Sequence, residues 1–175
     1  MKKLIYILFA FLMLSCQQSV EVSAGIANSD GDKYILGSDE DTKLAVDLIL
    51  AYADKNIDYM TEKMADSVTY WPPQGGKSMT MGLEDVPGVV MQLHSSYDSI
   101  TRRVWNAVPL KISGSDYTRV TVAFSERRYL KDGSQENLRI IDRVFIRDGK
   151  IYRIHQWDAE MEKFFLISLK FKNPL

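Results

Sequence analysis

Four β-rich segments, 100–112, 117–130, 136–147 and 150–158, are separated by G-S-D, K-D-G-S and D-G. Connections this short join neighbouring strands antiparallel. Helical spacing comes before them. Ser38 is a suitable N-cap, with Asp39, Glu40 and Asp41 at the positive end of a helix carrying Leu44, Ala45, Leu48, Ile49 and Tyr52 on one face. Asn56 opens a second, short helix with Ile57, Met60 and Met64 together. Ser67–Trp71 reads as a strand ended by Pro72-Pro73, Gln74-Gly75-Gly76 as a loop, and 83–95 as a third helix with Pro87 in its first turn. Helices first and a long meander afterwards predict an α+β domain, its helices packed on one face of a curved antiparallel sheet.

The N-terminus carries an address. Lys2 and Lys3 precede an apolar run, Leu4–Leu14, which suits a signal peptide and is shorter than the ~20 residues of a membrane span. The sequence L-M-L-S-C that follows resembles the bacterial lipobox. That resemblance implies cleavage after residue 15, a diacylglyceryl group and a palmitate-type N-acyl chain on Cys16, and stable anchoring, because more than one chain is attached. Gln17, which is not Asp, favours the outer over the inner membrane. Residues 16–37, polar with scattered apolars, read as a lipidated cysteine and flexible tether; residues 166–175 read as a tail, overlapping the apolar stretch F-F-L-I-S-L-K-F at 164–171.

Composition excludes several classes. Cys16 is the only cysteine, so neither disulfides nor thiolate metal sites are available. Removing residues 1–15 removes two lysines and no acid, taking the formal charge from −1 to −3 and leaving no basic excess for nucleic acid. Two histidines without a dense acidic cluster do not make a zinc site, and the acids at 30–41 lack calcium-loop spacing. No cofactor motif is present: the glycines at 75–76 fit neither phosphate-binding frame.

Two segments carry a family resemblance. A-Y-A-D-K-N-I-D-Y-M-T-E-K-M-A-D-S-V-T-Y-W-P-P (51–73) resembles the opening of nuclear transport factor 2-like domains, which include ketosteroid isomerases and SnoaL-like cyclases. I-D-R-V-F-I-R-D-G-K-I (141–151) resembles a later strand of the same domains. The resemblance covers about residues 40–160, within a domain taken as 38–165. It implies a cone with a pocket in its concavity, Asp142 pointing into that pocket, and a second copy as a candidate partner across the convex face. It also implies that the isomerase tyrosine and general-base positions fall on Leu48 and Pro72, neither of which can do that chemistry.

A two-residue turn at Asp148-Gly149 pairs Arg147 with Lys150. An unbroken ladder then sets Val144 opposite Arg153, Asp142 opposite His155 and Ile140 opposite Trp157, all on the pocket side. Asp158 would face away, towards Arg139. Asp142 and His155 are therefore the candidate catalytic pair, the carboxylate orienting the ring; a structural hydrogen bond is the simpler reading. Tyr70, Trp105, Val144 and Trp157 are candidate pocket residues, with Tyr59 and Phe124 as further wall positions. The expectation is a lipid-anchored envelope protein, facing the periplasm or exterior, whose pocket binds a small, partly apolar molecule without catalysis. The alternatives are a SnoaL-like enzyme using Asp142–His155, and an interaction module whose cone is filled by side chains.

Overall fold

Ser38 does cap the first helix: its Oγ accepts from the Asp41 amide at 3.0 Å, and α1 runs Asp39–Ala53. Asn56 caps α2, Ile57–Lys63, by accepting from the Tyr59 amide at 3.1 Å. The computed structural model describes residues 22–73 and 75–160. Cys16 and the apolar tail lie outside them.

Among the described residues eight strands form one sheet: β1 (Gly25–Ile26), β2 (Lys33–Leu36), β3 (Met64–Trp71), β4 (Met79–Gly82), β5 (Tyr97–Ile112), β6 (Thr118–Leu130), β7 (Gln135–Arg147) and β8 (Lys150–Glu160). Their order is β1-β2-β5-β6-β7-β8-β3-β4, and β3 runs parallel to β8. The remaining neighbours are antiparallel. The third helix, α3, is shorter than expected. It spans Val86–Leu93 after a 3₁₀ turn at Leu83–Asp85, in which the Asp85 carboxylate accepts from the Gly82 amide. Helix and sheet meet where Ala45, Leu48 and Ile49 of α1 join Val122, Phe124 and Ile140 of the inner sheet face in one apolar cluster.

The segment read as a tether is partly built into the fold. Asn28 Oδ1 accepts from the amides of Asp30 and Asp32, its Nδ2 donates to the Asp32 carboxylate, and this closes a hairpin. Its second strand, β2, extends the sheet along β5. Short strands with polar outer positions look like linker in composition. Gly37 follows because a Cβ there would lie 2.5 Å from Thr118 Cγ2.

The last hairpin begins as predicted. Asp148 and Gly149 have φ of 51° and 68°, and Arg147 pairs with Lys150. Ile146 faces Ile151. The next partners, however, are Phe145 and Arg153, so Tyr152 is an extra residue, a β-bulge. One extra residue moves every later side chain to the opposite face. Val144 therefore faces Ile154, Asp142 faces Gln156, and Ile140 faces Asp158.

Candidate functional site

The concavity between α1, α3, β3 and the inner sheet face holds a cavity of about 350 Å³. The cone is thus not filled by its own side chains. Leu48, Met60, Met64, Val68, Met81 and Val90 supply much of its apolar wall. Methionine is well suited to such a wall, because an unbranched polarisable chain adapts to irregular ligands. The polar groups come from neighbouring strands.

Tyr70 lies on β3, whose inward positions alternate with Trp71. Its phenol donates to Gln156 Oε1 at 2.7 Å. That bond sets the amide orientation, so the Gln156 NH₂ is the group that hydrogen-bonds the Asp142 carboxyl. Asp142 is 3 % exposed, and its Oδ1 has no hydrogen-bond partner. Burial pushes its carboxyl up to about 7; Arg102 and the Gln156 amide pull it down, and Glu126 raises it. At neutral pH a substantial fraction is therefore protonated and able to donate a hydrogen bond. Burial, with the nearby Asp142 charge, raises the Tyr70 phenol, which stays neutral.

A second polar group closes another part of the wall. Glu126 is 1 % exposed. Its Oε2 meets Arg102 Nη2 at 2.5 Å, and its Oε1 meets Arg128 Nε at 2.5 Å. Arg102 also donates to the Ile49 carbonyl on α1 at 3.0 Å and packs its guanidinium on the rings of Tyr52 and Phe124. Arg128 also reaches Glu136 at 3.5 Å, so two guanidinium groups are set against two carboxylates in this part of the wall.

The chain matches no family model and no curated protein. Solved structures do match. One is a hypothetical protein with a ketosteroid isomerase-like fold from Catenulispora acidiphila, in complex with trimethylamine. It is 16% identical over 66% of this chain and 84% of that one, with a TM-score of 0.54. A second is an LEH-like epoxide hydrolase of M. tuberculosis, 12% identical over 74% and 92%, with a TM-score of 0.55. A third, from Exiguobacterium sp., is a nuclear transport factor 2-like protein of unknown function, 18% identical over 67% and 96%, with a TM-score of 0.52. The fold is nuclear transport factor 2-like. Identities this low establish architecture only.

In this nuclear transport factor 2-like domain Asp142 and Tyr70 line the cavity, as do Leu48 and Pro72. His155 and Trp157 do not. The bulge at Tyr152 turns both to the convex face, where His155 pairs with Arg143 and packs 5.3 Å from Trp71. The Asp142–His155 pair therefore does not form, and Gln156 takes the histidine's place. Asp158, expected to face away, lines the cavity instead. Trp105 sits at a second bulge, on β5, under Arg139 and 48 % exposed. Val144 is buried in the core cluster and is not part of the cavity lining. Tyr59 donates to Asp47 at 3.2 Å, and Phe124 lies buried beneath Arg102. His94 donates from Nε2 to the Tyr52 carbonyl at 3.0 Å; burial, then Lys55, lowers its pKa.

Two-residue alternation places one arginine of Arg102-Arg103 and one of Arg127-Arg128 on each sheet face, and Glu126 is the buried partner of the inward two. The signal was available. In V-T-V-A-F-S-E-R-R the apolar phase runs Val120, Val122, Phe124 and then Glu126, and a glutamate in core phase demands a buried cation.

Proposed function

We propose that the chain is a lipid-anchored envelope protein whose cavity binds a small, largely apolar molecule through a hydrogen-bond acceptor, without turning it over. One observation carries the reading. Asp142 presents a buried, unpartnered carboxyl oxygen within an otherwise mostly apolar wall. A buried polar atom left unpaired costs about 1–3 kcal/mol, which a ligand carbonyl or carboxyl would recover. Leu48 and Pro72, where the resemblance implies catalytic groups, support binding over catalysis. Anchoring rests on the lipobox-like L-M-L-S-C and on Cys16 being the only cysteine.

Mass spectrometry of small molecules retained by the purified full chain tests the binding reading. An apolar acid or carbonyl compound is expected. Asp142→Leu should weaken its binding roughly 10- to 100-fold, the worth of a hydrogen bond to a charged or strongly polar group. Met81→Trp should expel it by filling the cavity. Retention by both variants at unchanged melting temperature would place the ligand elsewhere. A second reading, proton transfer to the ligand by Asp142 itself, is favoured by the carboxyl being held near neutrality. It requires the released molecule to differ from the one supplied. Anchoring has a separate test: Cys16→Ser should abolish palmitate labelling, and labelling that persists would refute it.

A further inference from the structure

The convex face of the sheet has a composition that the cavity does not explain. Outward positions on β6, β7 and β8 include Arg119, Arg127, Arg139, Arg143 and Arg153, and no Asp or Glu. Among the described residues, Arg119, Arg139, Arg143 and Arg153 form no ion pair. They stack on rings instead: Arg119 on Tyr34, Arg139 on Trp105, Arg143 on Trp157 and Arg153 on Phe145. The chain's three tryptophans, Trp71, Trp105 and Trp157, are each 45–48 % exposed, and all border this face. A chain that is acidic from Cys16 onward has thus gathered a cationic aromatic surface on one side.

We propose that this convex face lies against an anionic lipid headgroup surface, its guanidinium groups meeting phosphates and its indoles seated at headgroup level. The proposal rests in part on the anchoring reading. Eight residues separate Cys16 from Gly25, so an anchored β1 stays within about 30 Å of the bilayer. β1 and β2 form the edge of the sheet, and Tyr34 of β2 lies under Arg119. The lipid attachment therefore enters beside the cationic face. Tryptophan and tyrosine favour the bilayer interface, and arginines near an anionic surface each add attraction. Charge argues against two other occupants. A second copy would set arginines against arginines. The chain's own residues 161–175 carry three Lys and one Glu, the same sign as the face.

Because the tryptophans all border this face, intrinsic fluorescence reports on it. The full chain is reconstituted into vesicles of brominated phosphatidylglycerol or brominated phosphatidylcholine. Emission should be quenched in the anionic vesicles, less so in the zwitterionic ones, and should recover with salt. Cys16→Ser chains added to preformed anionic vesicles should show the same quenching. Arg139→Gln and Arg153→Gln, both at exposed positions, should each weaken that partitioning about fivefold. Chains that pellet with either vesicle yet keep unquenched indoles would overturn docking while leaving anchoring intact. Quenching by a parent chain whose Cys16 carries no lipid would do the reverse. An emission change with a soluble polyuronate but not with vesicles would assign the face to an acidic polysaccharide, and a concentration-dependent dimer unaffected by vesicles would assign it to a second copy; either result overturns the proposal.

Discussion

Replacing Glu126 by Gln should lower the thermal unfolding midpoint by roughly 10–20 °C, the equivalent of about 3–5 kcal/mol in a domain of this size. The change is isosteric, so packing is preserved and only charge is lost. What remains is the problem. Arg102 is 5 % exposed at its side chain and Arg128 is 22 % exposed, and Glu126 is the carboxylate both touch. Arg102 has no ion pair to a second acid among the described residues; Arg128 has only Glu136, at 3.5 Å. Two guanidinium groups would then sit side by side in a poorly solvated wall. Breaking a buried pair from one side costs far more than the pair contributes, because the surviving charge is stranded.

Coupling separates this account from a simple packing loss. Arg102→Gln alone should also destabilise, since it removes one of the two guanidinium partners of Glu126 and releases the Ile49 carbonyl on α1. The double variant Glu126→Gln/Arg102→Gln should lose clearly less than the sum of the two, by 1 kcal/mol or more. Arg127→Gln, one residue along β6 and exposed, should stay within about 0.5 kcal/mol of the parent. Denaturant titration of the four chains decides it, and strict additivity would dismiss the ion network as the cause.

The same strand illustrates what was legible in the sequence. Turn chemistry and two-residue alternation located β5 to β8 to within about three residues, because D-G and K-D-G-S admit few alternatives and a half-buried strand must alternate. Ser38 and Asn56 announced their helices through side-chain capping that no tertiary contact overrides. The site depended on parity, and parity is lost with a single extra residue. Tyr152 bulges, so Gln156 and Asp158 replaced His155 and Trp157 inside the cone. Ile151 and Ile154, both inward, stand three apart, an odd spacing that an unbroken strand cannot bury. The N-terminal hairpin escaped for another reason: β2 is four residues long, and its pairing with β1 and β5 is what shows it to be a strand.

Asp142 should make the domain less stable as pH rises from about 4 to 7, the opposite of a salt-bridged carboxylate. In the unfolded chain its carboxyl titrates near its ordinary value of 3.8; in the fold it titrates near 7. Below pH 4 both states hold the proton and folding carries no penalty. Between 4 and 7 the unfolded chain releases a proton that the native state retains, so stability falls with each pH step. Above 7 both are ionised and the full penalty, about 4 kcal/mol, has accrued. His94 and His155 act in the other sense. Burial lowers both, so each resists protonation in the fold and costs stability as pH falls below about 6.5. A single curve would blur the two effects. Subtracting the pH series of Asp142→Asn, which keeps both histidines, isolates the carboxyl. The urea midpoint difference between variant and parent should widen in favour of the variant from pH 4 to 7 and level off above. A flat difference would mean that Asp142 is ionised in the fold. Its unpartnered oxygen would then be a stranded charge and could not donate a hydrogen bond, and the ligand it selects would need to be a donor or a cation.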